Sequence, residues 1–202
     1  MKKRLFLFVL LFVFSILATG CQIKPEQKLI STGPNFFLNS VLDVKILDEG
    51  KDIEKINEEI TMRVQSLENV LTSKASSSEV SKINQNAGIA PVSVSAETFL
   101  VVSEGIKYSE LADGSFDITV GPLANLWGIG TEAAKVPTEE ELKNALSLVG
   151  YEKVVLDKNA KTVYLTEKGM ALDVGAIAKG YVTDEINNIL AKYKVESAII
   201  NL

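Results

Sequence analysis

The chain has 202 residues, of which 47% are hydrophobic and 23% charged, which predicts one globular domain with a substantial core and excludes a disordered chain. The formal net charge is −5, and it becomes −8 without Lys2, Lys3 and Arg4, which argues against nucleic acid as a partner. The sequence contains no histidine, which excludes histidine bases, histidine metal ligands and Ser-His or Cys-His catalytic pairs within these residues. A metal site would therefore use oxygen ligands, which favour Mg²⁺ or Ca²⁺.

The N-terminal segment has the features of a secretory signal peptide: three basic residues, an apolar run from Leu5 to Ala18, and small residues before Cys21. A transmembrane anchor is the alternative, but the run is shorter than the ~20 residues that a spanning helix needs. The stretch "ATGC" resembles a lipobox. We therefore expect residues 1–20 to be removed, and the lipidated Cys21 to hold the protein on the extracytoplasmic face of the cell membrane through a polar tether, residues 21–34.

The folded domain is expected over residues 35–202, and its first elements follow from hydrophobic periodicity. Leu42, Val44 and Ile46 alternate with polar residues and predict a half-buried strand. Residues 72–88, rich in Ser, Lys and Asn, predict a loop that can include one short helical turn, either a solvated connection or a functional loop. Between this strand and this loop, apolar residues recur at steps of three and four and predict an amphipathic helix: Ile53, Ile56, Ile60, Val64, Leu67 and Leu71.

A second helix is predicted over residues 95–112, with Ser95 as its N-cap and Gly114 just past its end. The following stretch, "GSFDITVGPLANLWGIG" (residues 114–130), combines four glycines with the only tryptophan. Two interpretations stay open. The stretch is either a buried crossover packed on the core, or a loop whose glycines let the backbone approach a flat or phosphate-bearing ligand, with Asp117 contributing a carboxylate.

In the C-terminal third, the sequence predicts a helix, a hairpin, a further helix after the hairpin, and a final strand. Thr138 and Glu141 form a capping box for a helix that Gly150 would end. Residues 152–166 predict a hairpin with the turn "DKNAK", and residues 195–202 an apolar strand. The order of elements is that of an α+β fold without internal repeats.

The stretch "ALDVGAIAKGYVTDE", residues 171–185, leads from a strand-like segment into small residues and a helix. Gly175 stands at the helix start, where free N–H groups favour a phosphate, and Lys179 is about one turn along. The spacing matches neither G-x-x-x-x-G-K-[ST] nor G-x-G-x-x-G. From the residues alone, a phosphate site and a solvated helix with Gly175 as a packing glycine both remain open.

Three stretches in this order, "SSSEVSKIN", "GSFDITVGPLANLWGIG" and "ALDVGAIAKGYVTDE", resemble the ApbE family of FAD:protein FMN transferases from about Phe37 to the end of the chain. The resemblance implies an ApbE-like, T-fold-related α+β fold of antiparallel and mixed sheets packed with helices. It also implies that FAD lies between the motifs with Mg²⁺ on its pyrophosphate. FMN would pass to a threonine hydroxyl of a flavoprotein acceptor, such as a subunit of a membrane redox complex, and AMP would leave.

The resemblance also assigns site residues, although it identifies no catalytic residue of this chain. Ser115, Phe116 and Asp117 stand where the family contacts the flavin nucleotide. Asp173 and Lys179 match its D-x-x-x-x-x-K pair on the same ligand. The remaining assignments are Leu38 near the adenosine or flavin wall, Lys74 at a ligand position often held by tyrosine, and Ala176 as a backbone-oxygen ligand of the metal.

Members of the family continue through a later segment whose Asp and Thr complete the magnesium site. The resemblance therefore implies that this chain is C-terminally truncated, and that residues 195–202 lack partner strands. Two other functions stay open beside FMN transfer. One is an FAD pyrophosphatase that gives FMN and AMP, and the other is a lipid-anchored flavin-binding protein without chemistry.

Overall fold

In the computed structural model, the described part of the chain is residues 30–31, 35–37, 40–47 and 50–202, and it confirms the α+β class. Within that part the strands are β1 Ile30–Ser31, β2 Asn35–Phe37, β3 Ser40–Ile46, β4 Val92–Ser93, β5 Val154–Asp157, β6 Thr162–Leu165 and β7 Ala198–Asn201. The helices are α1 Ile53–Leu71, α2 Glu79–Gln85, α3 Ala96–Leu111, α4 Gly121–Trp127, α5 Glu139–Leu146 and α6 Gly175–Lys192, with a 3₁₀ turn at Tyr151–Lys153. None of these helices is long and apolar enough to cross a membrane.

The first sheet is built on β3, which pairs antiparallel with β1, β2 and β7. Leu42, Val44 and Ile46 are fully buried, whereas Val41 is 54% exposed, which confirms a half-buried strand. The prediction that residues 195–202 lack a partner is wrong, because β7 pairs with residues 43–46 of β3. The partner strand lies more than 150 positions earlier in the chain, so local sequence does not indicate it.

The second sheet has the order β4-β6-β5, and both pairings are antiparallel. The predicted hairpin is confirmed as β5 and β6. Its turn is closed by the Asp157 carboxylate, which accepts hydrogen bonds from the backbone N–H groups of Asn159 and Ala160 at 2.9 and 3.0 Å.

The predicted amphipathic helix is α1, and its periodic apolar face packs against α6. Arg63 joins these two helices to α3. Its guanidinium donates to Glu185 of α6 at 2.7 Å, and lies 3.4 Å from Glu97 of α3. Partial burial acts to lower the pKa of Arg63, but the hydrogen bond and charge of Glu185, together with Tyr181 and Glu97, outweigh burial and raise that pKa. This ion pair fixes α6 against α1.

The structure bears on three predictions made from local sequence: the Ser95 cap, the capping box at Thr138, and the loop over residues 72–88. Ser95 is the N-cap of α3, and Thr138 with Glu141 forms the capping box of α5, as predicted. Hydrogen bonds from Lys135 and from the Thr138 backbone lower the pKa of Glu141 to about 2. The short helical turn allowed for residues 72–88 is a seven-residue helix, α2, which is longer than predicted. Ser78 caps it, and two buried side chains stabilise it: Val80 and Ile83.

A close backbone approach joins the stretch 114–130 to the segment that precedes α6. Val120 and Ala171 form a parallel β-bridge, and the N–H of Gly121 donates to the Ala171 carbonyl at 3.1 Å. A Cβ atom on Gly121 would lie 2.5 Å from that carbonyl oxygen, so a side chain there would force two backbones apart.

We predict that Gly121→Ala lowers the free energy of unfolding by about 1–3 kcal/mol, because the contact is with backbone and cannot relax by a rotamer change. Gly180→Ala is the matched control. A Cβ atom on the exposed Gly180 of α6 meets nothing within 4 Å, and alanine there should stabilise the helix by about 0.5–1 kcal/mol. Urea unfolding followed by circular dichroism measures both changes. Equal stability of the two variants would contradict the proposed role of the close approach.

Candidate functional site

The site is organised around a short extended segment, residues 171–173, immediately before α6. On one edge of this segment the Asp173 N–H donates to the Ile118 carbonyl at 2.8 Å, next to the bond between Gly121 and Ala171. Leu172 is 1% exposed, so the segment lies in the core while its end reaches the surface at α6. Two of the three stretches singled out in the sequence therefore meet directly.

Asp173 caps the first turn of α6. Its Oδ1 accepts the N–H of Gly175 at 2.9 Å, which means that one of the helix N–H groups expected to be free for a phosphate is already bonded. Within the described part of the chain, the Asp173 carboxylate has no other hydrogen-bond or ion-pair partner. Its second oxygen therefore remains available on the wall of the site.

Asp117 has a structural role that the sequence analysis missed. Its Oδ1 accepts from both the N–H and the hydroxyl of Thr119 at 2.7 Å, and its Oδ2 accepts the N–H of Tyr151 at 3.0 Å. The Thr119 hydroxyl in turn accepts the N–H of Gly150 at 2.8 Å. The carboxylate therefore ties the loop after α3 to the 3₁₀ turn. The D-x-T spacing is the local signal that indicates such a motif.

A cavity of about 610 Å³ lies between the C-terminal end of α1 and the start of α6, and we call it the helix cavity. Its wall includes Lys74, Asp173 and Lys179, so the structure brings these three predicted residues together. Neither lysine ammonium has a hydrogen-bond or ion-pair partner among the described residues, while Glu68 lies on the same wall. The wall therefore carries two lysines and two carboxylates, and the lysines together with the N-terminal end of an 18-residue helix offer contacts to an anionic ligand.

A second cavity of about 540 Å³ lies between the loop after α3 and α6, and we call it the loop cavity. Ser115, Phe116, Asp117 and Ala176 line it, and Asp173 is common to the two cavities. The partly buried Phe116 offers an aromatic wall. Both interpretations of residues 114–130 therefore have support, because Ile118 is buried in the core whereas the preceding residues line a cavity.

Ala176, the predicted backbone ligand of a metal, is exposed in the first turn of α6. No three His, Cys, Asp or Glu side chains converge within the described ranges. Ser115, Asp117 and Asp173 place side-chain oxygens on the cavity that Ala176 also lines, and one oxygen of Asp173 is unpaired. These donors suit Mg²⁺, which prefers oxygen ligands, but they are fewer than an octahedral site needs. Leu38 and Cys21 lie outside the described residues.

The fold is that of an α+β domain with two cavities that share Asp173. A model of the ApbE family matches residues 38–202, and the chain belongs to this family. The chain is 36% identical over 149 residues to the FAD:protein FMN transferase of Klebsiella pneumoniae, and the aligned region covers 74% of this chain and 47% of that protein. It is 30% identical over 191 residues to the enzyme of the same name from Vibrio cholerae, covering 93% and 56%.

Solved structures agree with the sequence comparison. The flavin transferase ApbE from Vibrio cholerae superposes with a TM-score of 0.78 at 28% identity, over 87% of this chain and 57% of that one. The ApbE protein from Thermotoga maritima gives 0.76 at 29% identity, over 85% and 55%. The chain spans about half the length of the curated relatives it matches. The expected ApbE-like fold is confirmed.

We predict that Asp117→Ala lowers the free energy of unfolding by about 1–3 kcal/mol in the absence of any ligand, because the Thr119 and Tyr151 donors lose their acceptor. Chemical denaturation of the ligand-free protein measures the change. Asp184→Ala is the control, since this exposed carboxylate of α6 has no hydrogen-bond partner among the described residues and should shift stability by less than about 0.5 kcal/mol. If both variants were equally stable, the hydrogen bonds of Asp117 would not organise the loop.

Proposed function

We propose that this chain binds FAD and transfers its FMN part to a threonine hydroxyl of an acceptor flavoprotein, releasing AMP. The observation that carries the proposal is that Asp173 is common to a cavity with two unpaired lysine ammonium groups and a cavity with an aromatic wall, in a chain of the ApbE family. FAD has a doubly charged pyrophosphate between two flat ring systems. An anion-binding centre beside an aromatic wall matches that distribution of charge.

We assign the pyrophosphate to the helix cavity and the flavin nucleotide to the loop cavity. Lys179, one turn into α6, and Lys74, on the opposite wall, supply positive charge to the phosphate oxygens. Ser115 and Phe116 contact the flavin nucleotide, while Asp117 holds their loop in place. These roles need no histidine among the residues of this chain, since phosphoryl transfer depends mainly on orientation and on charge neutralisation.

In the proposed reaction the acceptor threonine oxygen attacks the phosphorus of the FMN half of FAD. A new P–O bond to threonine forms as the bond from that phosphorus to the bridging oxygen breaks. AMP leaves with the bridging oxygen, and the hydroxyl proton is released. The residues of this chain bind and orient FAD, and we assign none of them as the base.

We propose Mg²⁺ as the cation of this site, with the backbone oxygen of Ala176 as one ligand and the family's later segment supplying others. When bound, Mg²⁺ would neutralise charge on the pyrophosphate and so favour departure of AMP. The unpaired oxygen of Asp173 lies on the same wall and suits such a cation.

Equilibrium dialysis with FAD, with and without Mg²⁺, tests the binding step. Incubation with FAD and a candidate acceptor, followed by mass spectrometry, tests the transfer. We expect AMP release to equal the amount of FMN attached to the acceptor. Free FMN with AMP and no labelled acceptor would instead show an FAD pyrophosphatase, and FAD binding without AMP would show a non-catalytic flavin-binding protein.

We predict that Lys179→Ala weakens FAD binding roughly ten- to hundredfold, because a charge-assisted hydrogen bond is worth about 1.5–3 kcal/mol. Its stability should change by less than about 0.5 kcal/mol, since the ammonium has no partner in the described structure. Titration of FAD at one Mg²⁺ concentration measures the affinity. Lys158→Ala, in the turn between β5 and β6, is the control for net charge. Equal dissociation constants for both variants and the parent protein would overturn the assignment of Lys179.

We further propose that Cys21 carries a lipid that holds the protein on the extracytoplasmic face of the cell membrane. The support is the order of basic, apolar and small residues before this cysteine.

We predict that Cys21→Ala shifts the protein from the membrane fraction to the soluble fraction, because the lipid attachment point is lost while the folded domain is unchanged. Fractionation of expressing cells followed by immunoblotting measures this. Cys21→Ser would serve as a second variant, and an unchanged membrane fraction in both would refute the lipid anchor.

A further inference from the structure

Asn84, on α2, makes a two-point contact with the segment that precedes α6. Its Oδ1 accepts the N–H of Leu172 at 2.7 Å, and its Nδ2 donates to the Leu172 carbonyl at 3.1 Å. A hydrogen-bonded residue pair in an antiparallel sheet exchanges the same two bonds. The Asn84 carboxamide therefore occupies the place of a neighbouring strand.

The two edges of this segment have different partners. On one edge, Ala171 bonds to Gly121 and Asp173 bonds to Ile118. The backbone groups of Leu172 point to the other edge, where they bond to Asn84. Leu172 is 1% exposed, and the carboxamide is the partner of both its N–H and its carbonyl. Asn84 and Leu172 also line a cavity of about 310 Å³. Without Asn84, the segment would be held on one edge only.

The helix that carries Asn84 is itself anchored. Its N-cap Ser78 accepts the N–H of Ser81 at 3.0 Å, and its Glu79 accepts both the N–H and the hydroxyl of Ser95 at the start of α3. A side chain on a helix fixed at its N-terminus is a rigid support for the backbone that it contacts.

We propose that Asn84 is a positioning residue of the candidate site. It acts through Leu172 on the next residue, Asp173. The Asp173 carboxylate caps α6, and Asp173 lines both the helix cavity and the loop cavity. The contact thereby sets the placement of the first turn of α6 and of Lys179 relative to FAD. The part of this inference that concerns FAD rests on the proposed function.

Asn84→Asp tests the inference with little change in shape. The carboxylate keeps an acceptor for the Leu172 N–H but sets a second oxygen against the Leu172 carbonyl. Asn84→Gln keeps both a donor and an acceptor on a longer side chain, and is the milder variant if Asn84→Asp does not fold. Asn86→Asp is the control on the neighbouring C-cap, where the side chain bonds only to the exposed backbone of its own helix.

Hydrogen exchange without FAD tests the positioning itself. We expect the Leu172 and Gly175 amides of Asn84→Asp to exchange at least tenfold faster than in the parent protein, and those of Asn86→Asp to be unchanged. Unchanged exchange at both amides in the Asn84 variants would overturn the inference, whether or not the protein binds FAD.

FAD titration, at a temperature where circular dichroism shows each variant folded, tests the consequence for the site. We expect the dissociation constant to rise at least tenfold in Asn84→Asp and less in Asn84→Gln. Val44→Ala, a core variant of β3 outside both cavities, controls for lost stability. If the Asn84 variants lost no more affinity than Val44→Ala, Asn84 would be merely structural. If the parent protein bound no FAD, the proposed function would fail, and the exchange result would still decide the role of Asn84.

Discussion

The pairing of residues 118–121 with residues 171–173 is the constraint on which the site depends. It consists of a parallel bridge and two backbone hydrogen bonds, and it leaves no room for a side chain at Gly121. The pairing brings the loop after α3 to the start of α6, although the two stretches are about 50 positions apart in the sequence. The loop that carries Ser115, Phe116 and Asp117 is thereby placed beside Asp173.

The site separates its two aspartates by role. Asp117 accepts three hydrogen bonds from its own chain, so its negative charge is used to hold the loop together. Asp173 uses one oxygen to cap α6 and keeps the other unpaired. The lysines differ from Asp117, because the ammonium groups of Lys74 and Lys179 have no hydrogen-bond or ion-pair partner among the described residues. Both ammonium groups can therefore bind a ligand. A polyanion with a cation bound to it would complement this distribution.

Packing of α1 against α6 sets the width of the helix cavity. Arg63 pairs with Glu185 near the middle of the two helices, while the cavity opens where α1 ends and α6 begins. A charge-assisted hydrogen bond between Arg and a carboxylate adds a geometric constraint to the apolar packing of the two helices. The distance between the lysines therefore depends on contacts far from the ligand, and the apolar face of α1 contributes to binding through its packing.

The sequence by itself determined the elements whose signals are local. The apolar period of α1, the caps at Ser95 and Thr138, and the turn after Asp157 each depend on residues within a few positions, and all are confirmed. Family resemblance pointed to the site residues of the domain, and the seven of them that the structure describes line the two cavities. Only the tertiary structure decided the pairing of β7 with β3, the helix at Glu79–Gln85, the internal role of Asp117 and the contact of Asn84 with Leu172. These features depend largely on partners distant in sequence and on burial that leaves backbone groups no access to water, and neither property can be read from neighbouring residues.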